Sequence, residues 1–144
     1  MSNNIVIALK GIIHYNKDIL IIKRSKFDEV GASTWEFVGG KLDFGETLEE
    51  GLKREINEEV GLTVSVERLL YATTFQTSEN RQVVILTYLC KSNSNQVTLS
   101  DEHDDYLWGG LSDIKKHLSP PILHDLENNN MTELLFNRLE NEND

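Results

Sequence analysis

The segment from Thr47 to Gly61, TLEEGLKREINEEVG, specifies both ends of a helix. Thr47 followed by Glu50 is a capping box, in which each side chain satisfies a backbone N–H of the other residue. Gly61, directly after Val60, supplies the left-handed residue on which helices stop. The pattern predicts a helix over Leu48–Val60. Any fold for this chain must lay that helix against an apolar surface and must also accommodate its acidity.

A helix turns about 100° per residue. With Leu48 at zero, Leu52, Ile56 and Val60 fall at about 40°, 80° and 120° and form an apolar stripe. Glu50 and Asn57, at about 200° and 180°, face solvent. Glu55 at about 340°, Glu59 at about 20° and Glu58 at about 280° converge on a band bordering the buried side. Gly51, at about 300°, puts no side chain there. Glu49 has Lys53 one turn later in the favourable order. The other three carboxylates have one neighbouring cation, Arg54. Half-buried carboxylates without partners take up protons, because desolvation penalises the charged form. A bound divalent cation removes the conflict, and oxygen ligands at this density suit Mg²⁺ or Mn²⁺.

The flanking sequence is β-rich. IVIALKGIIHY and ILIIKR around NKD read as a hairpin, RSKFDEVGAST as a loop and WEFV as a short strand. LTVSVERLLYATTFQTS and RQVVILTYLCK form a second hairpin through Glu79 and Asn80, followed by a polar loop, SNSNQVTLSDEHDD, and a strand in YLWGGL. SDIKKHL reads as a short helix capped by Ser112. Pro120 and Pro121 break the chain before PILHDL, which opens a further helix, and MTELLFNRLE is a terminal amphipathic helix, with NEND expected to fray. The expectation is one α/β (α+β) domain over residues 1–144, with helices on a mixed or antiparallel sheet.

Charge narrows the function. With 14 Lys and Arg against 24 Asp and Glu, the formal charge is −10, which argues against a protein that coats nucleic acid. It leaves open a small phosphorylated ligand bound through metal. The single cysteine, Cys90, lies in an apolar strand and reads as a small buried hydrophobe. No apolar run is long enough to span a membrane. The first residues lack a basic leader before their apolar segment, and Lys10 and Lys17 interrupt that segment. The expected location is the cytoplasm, with monomer and homodimer both open.

The residues Gly40, Glu46, Arg54, Glu55, Ile56, Glu58, Glu59, Gly61 and Leu62 together resemble the Nudix hydrolase signature, G-x5-E-x7-R-E-U-x-E-E-x-G-U with U apolar. Every defined position is filled. WEFVGGK resembles the strand and loop before that helix, with Val38 where many members carry proline and Gly51 where alanine is common. The resemblance implies a mixed sheet sandwiched between helices, and an enzyme that hydrolyses a nucleoside diphosphate linked to another moiety with Mg²⁺, or Mn²⁺ in its place. It assigns metal binding to Glu55, Glu58, Glu59 and the Gly40 carbonyl, with Glu55 and Glu58 also catalytic. Arg54 then orients a carboxylate such as Glu46, Glu46 supports the loop–helix geometry, Gly39 and Gly40 allow close backbone approach, and Gly61 ends the helix.

A further carboxylate often comes from a later loop in this family, and Glu102 in SDEHDDYLW is the candidate, as metal ligand or general base. Asp101, Asp104 and Asp105 read as solvated and His103 as exposed. Arg24 and Lys41 are substrate-binding candidates; Arg24 at the end of its strand is either a bidentate phosphate contact or a surface cation. Trp35, Phe37, Tyr88 and Trp108 either stack on a base or pack in the core. His124 and Asp125 are candidates for a base pocket. The leading substrate class is a nucleoside triphosphate, cleaved as in MutT-like enzymes to monophosphate and pyrophosphate. ADP-ribose, nucleotide sugars and dinucleoside polyphosphates are alternatives, as are a sensor that binds without cleaving and a simple cation-binding protein.

Overall fold

A computed structural model describes residues 2–141. Its strands are β1 (Asn4–Tyr15), β2 (Asp18–Arg24), β3 (Trp35–Glu36), β4 (Val38–Lys41), β5 (Val64–Ser78), β6 (Arg81–Ser92) and β7 (His103–Gly109). Its helices are α1 (Leu48–Val60), α2 (Leu111–His117), α3 (Pro120–Asn128) and α4 (Met131–Asn141). The seven strands form one mixed sheet, in which β1 runs parallel to β6 and the other pairings are antiparallel.

Side chains alternate across a strand, and here both faces are covered. From β1 and β2, Leu9, Ile13, Leu20 and Ile22 pack with Leu52, Ile56 and Val60 of α1. Ile12, Ile19 and Ile21 point the other way, into a core shared with Ile114, Leu126 and Leu135 of α2, α3 and α4 and with Leu118, which caps α2. Continuous apolar runs in β1 and β2 follow from burial on both sides. Cys90 is fully buried among the α1-facing residues, and burial pushes its thiol up to about 12.

The helix α1 has the ends its sequence specifies. Thr47 Oγ1 accepts from the Glu50 N–H and Glu50 Oε2 accepts from the Thr47 N–H, both at 3.2 Å. Gly61 is left-handed at φ 72° and its N–H reaches Asn57 O. Lys53 Nζ lies 3.5 Å from Glu49 Oε1.

Several expectations are corrected. Leu48 is 40 % exposed, so the buried stripe begins at Gly51 and Leu52 rather than at Leu48. That rotation moves Glu59 from the border of the stripe into the buried face. A Cβ on Gly51 would stand 2.8 Å from a Leu42 methyl, so this turn sits against the loop before the helix. The first hairpin has only two rungs, because β1 pairs along its length with β4 and β6 instead. WEFV divides into β3 and β4, and the glycines belong to β4. The last strand starts at His103 and pairs with β2. Gly110, not Ser112, is the N-cap of α2, which begins at Leu111. The terminal helix extends to Asn141, and the end of the NEND tail lies outside the described residues.

Candidate active site

The site begins with two glycines on β4. Gly39 has φ 147°, and a Cβ there would lie 1.9 Å from the Leu9 carbonyl oxygen across the β1–β4 pairing. No other residue type fits. A Cβ on Gly40 would meet Glu55 Oε2 at 2.6 Å, so this glycine lets the strand backbone lie directly against a helix carboxylate. The neighbouring turn of α1 presents Glu59, whose Oε1 accepts from the Gly39 N–H at 2.8 Å.

Arg54 fixes the other acids. Its Nε and Nη2 donate to the two oxygens of Glu46 at 2.7 and 2.9 Å, a bidentate pair. Nη1 donates to Glu55 Oε1 at 2.9 Å and to Glu58 Oε2 at 3.2 Å, and Nη2 also reaches the Lys41 carbonyl at 3.1 Å. The Asp43 N–H donates to Glu46 Oε1 at 2.8 Å and closes the loop. The hydrogen bonds from Arg54 and Asp43 hold the Glu46 carboxyl down at about 2.

A second loop is bound to the end of the same helix. The last carbonyls of a helix lack intrahelical donors. Here the N–H groups of Thr98 and Ser100 donate to Val60 O and Glu59 O at 2.9 and 3.0 Å. The loop then turns into β7, where Ser25 N donates to Glu102 O at 2.9 Å. Glu59, Glu102 and His103 thereby converge, each offering a ligand atom within 4.8 Å of the others.

The convergence lines an open cleft of about 830 Å³, shared by Lys10, Arg24, Glu36, Gly39, Gly40, Lys41, Glu55, Glu59, Glu102 and His103. Glu58 is not among the lining residues; its side chain is 59 % exposed and turned to Arg54. Arg24 lines the cleft with its guanidinium held by Asp28 Oδ2 at 2.8 Å and Glu36 Oε1 at 3.3 Å.

The charges in the cleft respond to one another. Burial pushes the Glu59 carboxyl up to about 7, against the pull of Lys10, the Gly39 N–H and His103. Burial also opposes ionisation of Glu36, but Lys10, the His103 hydrogen bond and Arg24 outweigh it and bring that carboxyl down to about 2. Lys10 Nζ lies 3.4 Å from Glu36 Oε1 and donates to the Phe37 and Gly39 carbonyls at 3.3 and 3.0 Å.

A second cavity of about 550 Å³ lies on the α3 side of the sheet. Phe37, Tyr71, Phe75, Ile85 and Ile122 line it, with Thr87, His124 and Asp125 as polar groups. Lys10 and Glu36 belong to both spaces. Of the aromatic candidates, only Phe37 faces this cavity. Trp35 packs on the α2 side, edge-on to His117 with ring centroids 5.1 Å apart. Tyr88 and Trp108 pack on the α1 side, where the Trp108 indole N–H donates to Asn95 O at 3.2 Å.

Residues 10–132, most of the chain, match the NUDIX domain. The chain belongs to the Nudix family. It is 30% identical over 107 residues to the nucleoside triphosphatase NudI of an Enterobacter species, covering 67% of this chain and 76% of that protein. It is 36% identical over 75 residues to a MutT-like protein of Streptomyces ambofaciens, covering 52% and 47% of the two chains. The crystal structure of a MutT protein from Methanosarcina mazei Go1 superposes with TM-score 0.75 at 25% identity, over 99% of this chain and 98% of the other. The shared fold is the Nudix α/β fold, a mixed sheet with four helices.

In this Nudix domain the residues that sequence reasoning misses are Lys10, Glu36 and His103. His103 is expected exposed, yet its side chain is 3 % exposed. A register shift between Lys23 and Arg24 pairs Arg24 with His103 and turns the ring inward. A lysine interrupting an otherwise apolar strand is the one local signal for Lys10. Nothing local marks Glu36.

Proposed function

We propose that this Nudix domain is a divalent-metal-dependent nucleoside triphosphate pyrophosphohydrolase, releasing nucleoside monophosphate and pyrophosphate. The observation that carries the reading is the common wall formed by Lys10 and Glu36. It joins a charged cleft suited to a polyphosphate to an apolar cavity suited to a base. The name of the NudI relative, a nucleoside triphosphatase, points the same way.

The donors present fit a divalent cation. Glu59 has one carboxylate oxygen bound to Gly39 N–H, its carboxyl is raised by burial, and no Lys or Arg among the described residues forms an ion pair with it. Glu55 abuts the Gly40 backbone, and Glu102 brings an oxygen within 4.8 Å of one of Glu59. Glu55, Glu59, Glu102 and the Gly40 carbonyl would hold the metal, with Glu58 at the rim through Arg54. When bound, a divalent ion neutralises charge on the diphosphate and acidifies the attacking water.

The protein's own groups do the rest. Lys10, Arg24, Lys41 and Arg81 supply positive charge along the cleft to bind phosphate oxygens. Arg24 is already oriented by two carboxylates, which fixes its fork for a bidentate contact. Glu102 is exposed at the mouth, where it can take a proton from water as well as bind metal. Arg54 and Glu46 hold Glu55 in place rather than touching substrate. Phe37, with Tyr71 and Phe75, offers the base an aromatic lining, while Asp125 and His124 supply hydrogen-bonding edges.

The test is a panel of nucleoside triphosphates, their oxidised forms, ADP-ribose, nucleotide sugars and dinucleoside polyphosphates with Mg²⁺ or Mn²⁺, read by product identity. Monophosphate and pyrophosphate from a triphosphate are expected. Preferential cleavage of ADP-ribose or a nucleotide sugar would replace the substrate class, and binding without release of any monophosphate would favour a sensor.

A further inference from the structure

His103 enters the cleft from the first position of β7, buried beside Glu36. Its Nε2 lies 2.9 Å from Glu36 Oε2. A carboxylate only accepts, so in the neutral ring Nε2 carries the hydrogen and Nδ1 keeps a lone pair. That Nδ1 is buried and has no hydrogen-bond partner among the described residues. A buried polar atom left without a partner is costly and calls for an occupant. The ring sits among carboxylates: Glu59 and Glu102 each place an oxygen within 4.8 Å of one of its nitrogens, and Nε2 is already taken by Glu36.

We propose that His103 Nδ1 is a metal ligand, completing with Glu59 and Glu102 a mixed nitrogen–oxygen site for a first-row transition ion such as Mn²⁺. Glu36 holds the ring from its far side, the carboxylate–histidine–metal arrangement in which an outer acid fixes the tautomer and strengthens the donor. Lys10 and Arg24, on Glu36 Oε1 at 3.4 and 3.3 Å, hold that acid in turn. The imidazole decides the preference. Mg²⁺ favours oxygen and retains its waters, whereas nitrogen donors raise affinity for the first-row ions along their usual order. The inference rests on the reading of the cleft as a metal site and adds which ion it selects and through which atom.

The test uses the full chain loaded with Mn²⁺ and pulsed electron paramagnetic resonance, which detects a coordinated imidazole nitrogen directly. Of the four histidines, His103 alone lines the cleft. The expected result is a nitrogen modulation that changes on selective ¹⁵N-histidine labelling and disappears in His103→Gln, while that variant still binds Mn²⁺ about 10–100-fold more weakly. Mg²⁺ affinity should fall by less than about threefold, since a hard ion gains little from the imidazole. Glu36→Gln should keep the modulation and lower Mn²⁺ affinity by about tenfold. Wild-type protein that binds Mn²⁺ without histidine modulation overturns the proposal, even if triphosphate hydrolysis proceeds. A histidine modulation without hydrolysis sustains the ligand assignment and counts against the pyrophosphohydrolase reading instead.

Discussion

The two spaces that meet at Lys10 and Glu36 are built by opposite means. The cleft joins one stretch of chain, Gly39 to Glu59, and the loop that hydrogen-bonds to the end of α1 to charged residues of β1, β2 and β3, Lys10, Arg24 and Glu36. Its residues are charged, and each has few substitutes: Gly39 has no room for a Cβ, and Arg54 serves Glu46, Glu55 and Glu58 at once. The apolar cavity is assembled from Lys10 of β1, the Glu36–Phe37 segment, β5, β6 and α3, and of these only Glu36–Phe37 belongs to a recognisable motif. On the proposed reading the metal-binding acids are concentrated in one over-determined element, and substrate choice is spread over ordinary strand and helix positions. Such a division lets the second vary without disturbing the first.

The sharpest break of this comparison is Glu59→Gln. It should lower turnover on the order of a thousandfold or more while leaving the cavity intact, since metal contributes several kcal/mol to phosphoryl chemistry. Retained far-ultraviolet circular dichroism with lost hydrolysis is the expected pair of readouts.

The next effect is on stability in the absence of metal. Burial raises the Glu59 carboxyl to about 7 from 4.5, so the folded state holds that proton more tightly than the unfolded chain. Its contribution is fully present below pH 4.5 and is lost as pH rises through about 7. In chelator, the difference in unfolding free energy between wild type and Glu59→Gln should therefore shift against wild type by about 3 kcal/mol across that window. Glu36 and Glu46 act lower: both are brought down to about 2, so their contribution is present above 4.5 and is lost as pH falls toward 2. Denaturant titrations at stepped pH separate the two windows, and added Mn²⁺ should flatten the upper one.

Arg54→Lys sharpens the comparison from the positioning side. A lysine cannot reproduce the bidentate grip on Glu46 while also reaching Glu55 and Glu58. Metal affinity should fall about 10–100-fold by calorimetry, with the Michaelis constant for nucleotide at saturating metal little changed. The smallest effect is on the other space. Thr73→Trp projects bulk into the apolar cavity and should raise KM about tenfold with Mn²⁺ affinity unchanged. Metal affinity that moved with this substitution would show the two spaces to be one functional unit.

How much of this is written in the sequence follows the same division. The caps of α1, the Glu46–Arg54 pairing, the glycines and the acids of the helix are legible because each depends on neighbours within about two dozen residues. Leu48 is exposed although its helix angle borders the apolar stripe, because Leu42 of the preceding loop packs against Gly51 and the buried face includes Glu59. Lys10, Glu36 and His103 are hidden for a different reason. They come together through the β1–β4, β2–β3 and β2–β7 pairings, and the last of these depends on an irregular register at Arg24. The start of β7 is likewise misread by three residues, because DEHDD carries no apolar alternation and is drawn into the sheet by pairing with β2. The apolar cavity is still less legible, since its lining comes from segments far apart along the chain.

The central claim is that the charged cleft cleaves a nucleoside triphosphate between its α and β phosphorus atoms with help from a metal held at Glu59. Phosphorus nuclear magnetic resonance of the reaction, with and without Mg²⁺ or Mn²⁺, tests it for wild type and Glu59→Gln side by side. The account predicts equal amounts of monophosphate and pyrophosphate from wild type with metal, and neither product from chelated wild type or from the folded variant. Release of inorganic phosphate with a nucleoside diphosphate, or undiminished turnover in Glu59→Gln, would contradict it.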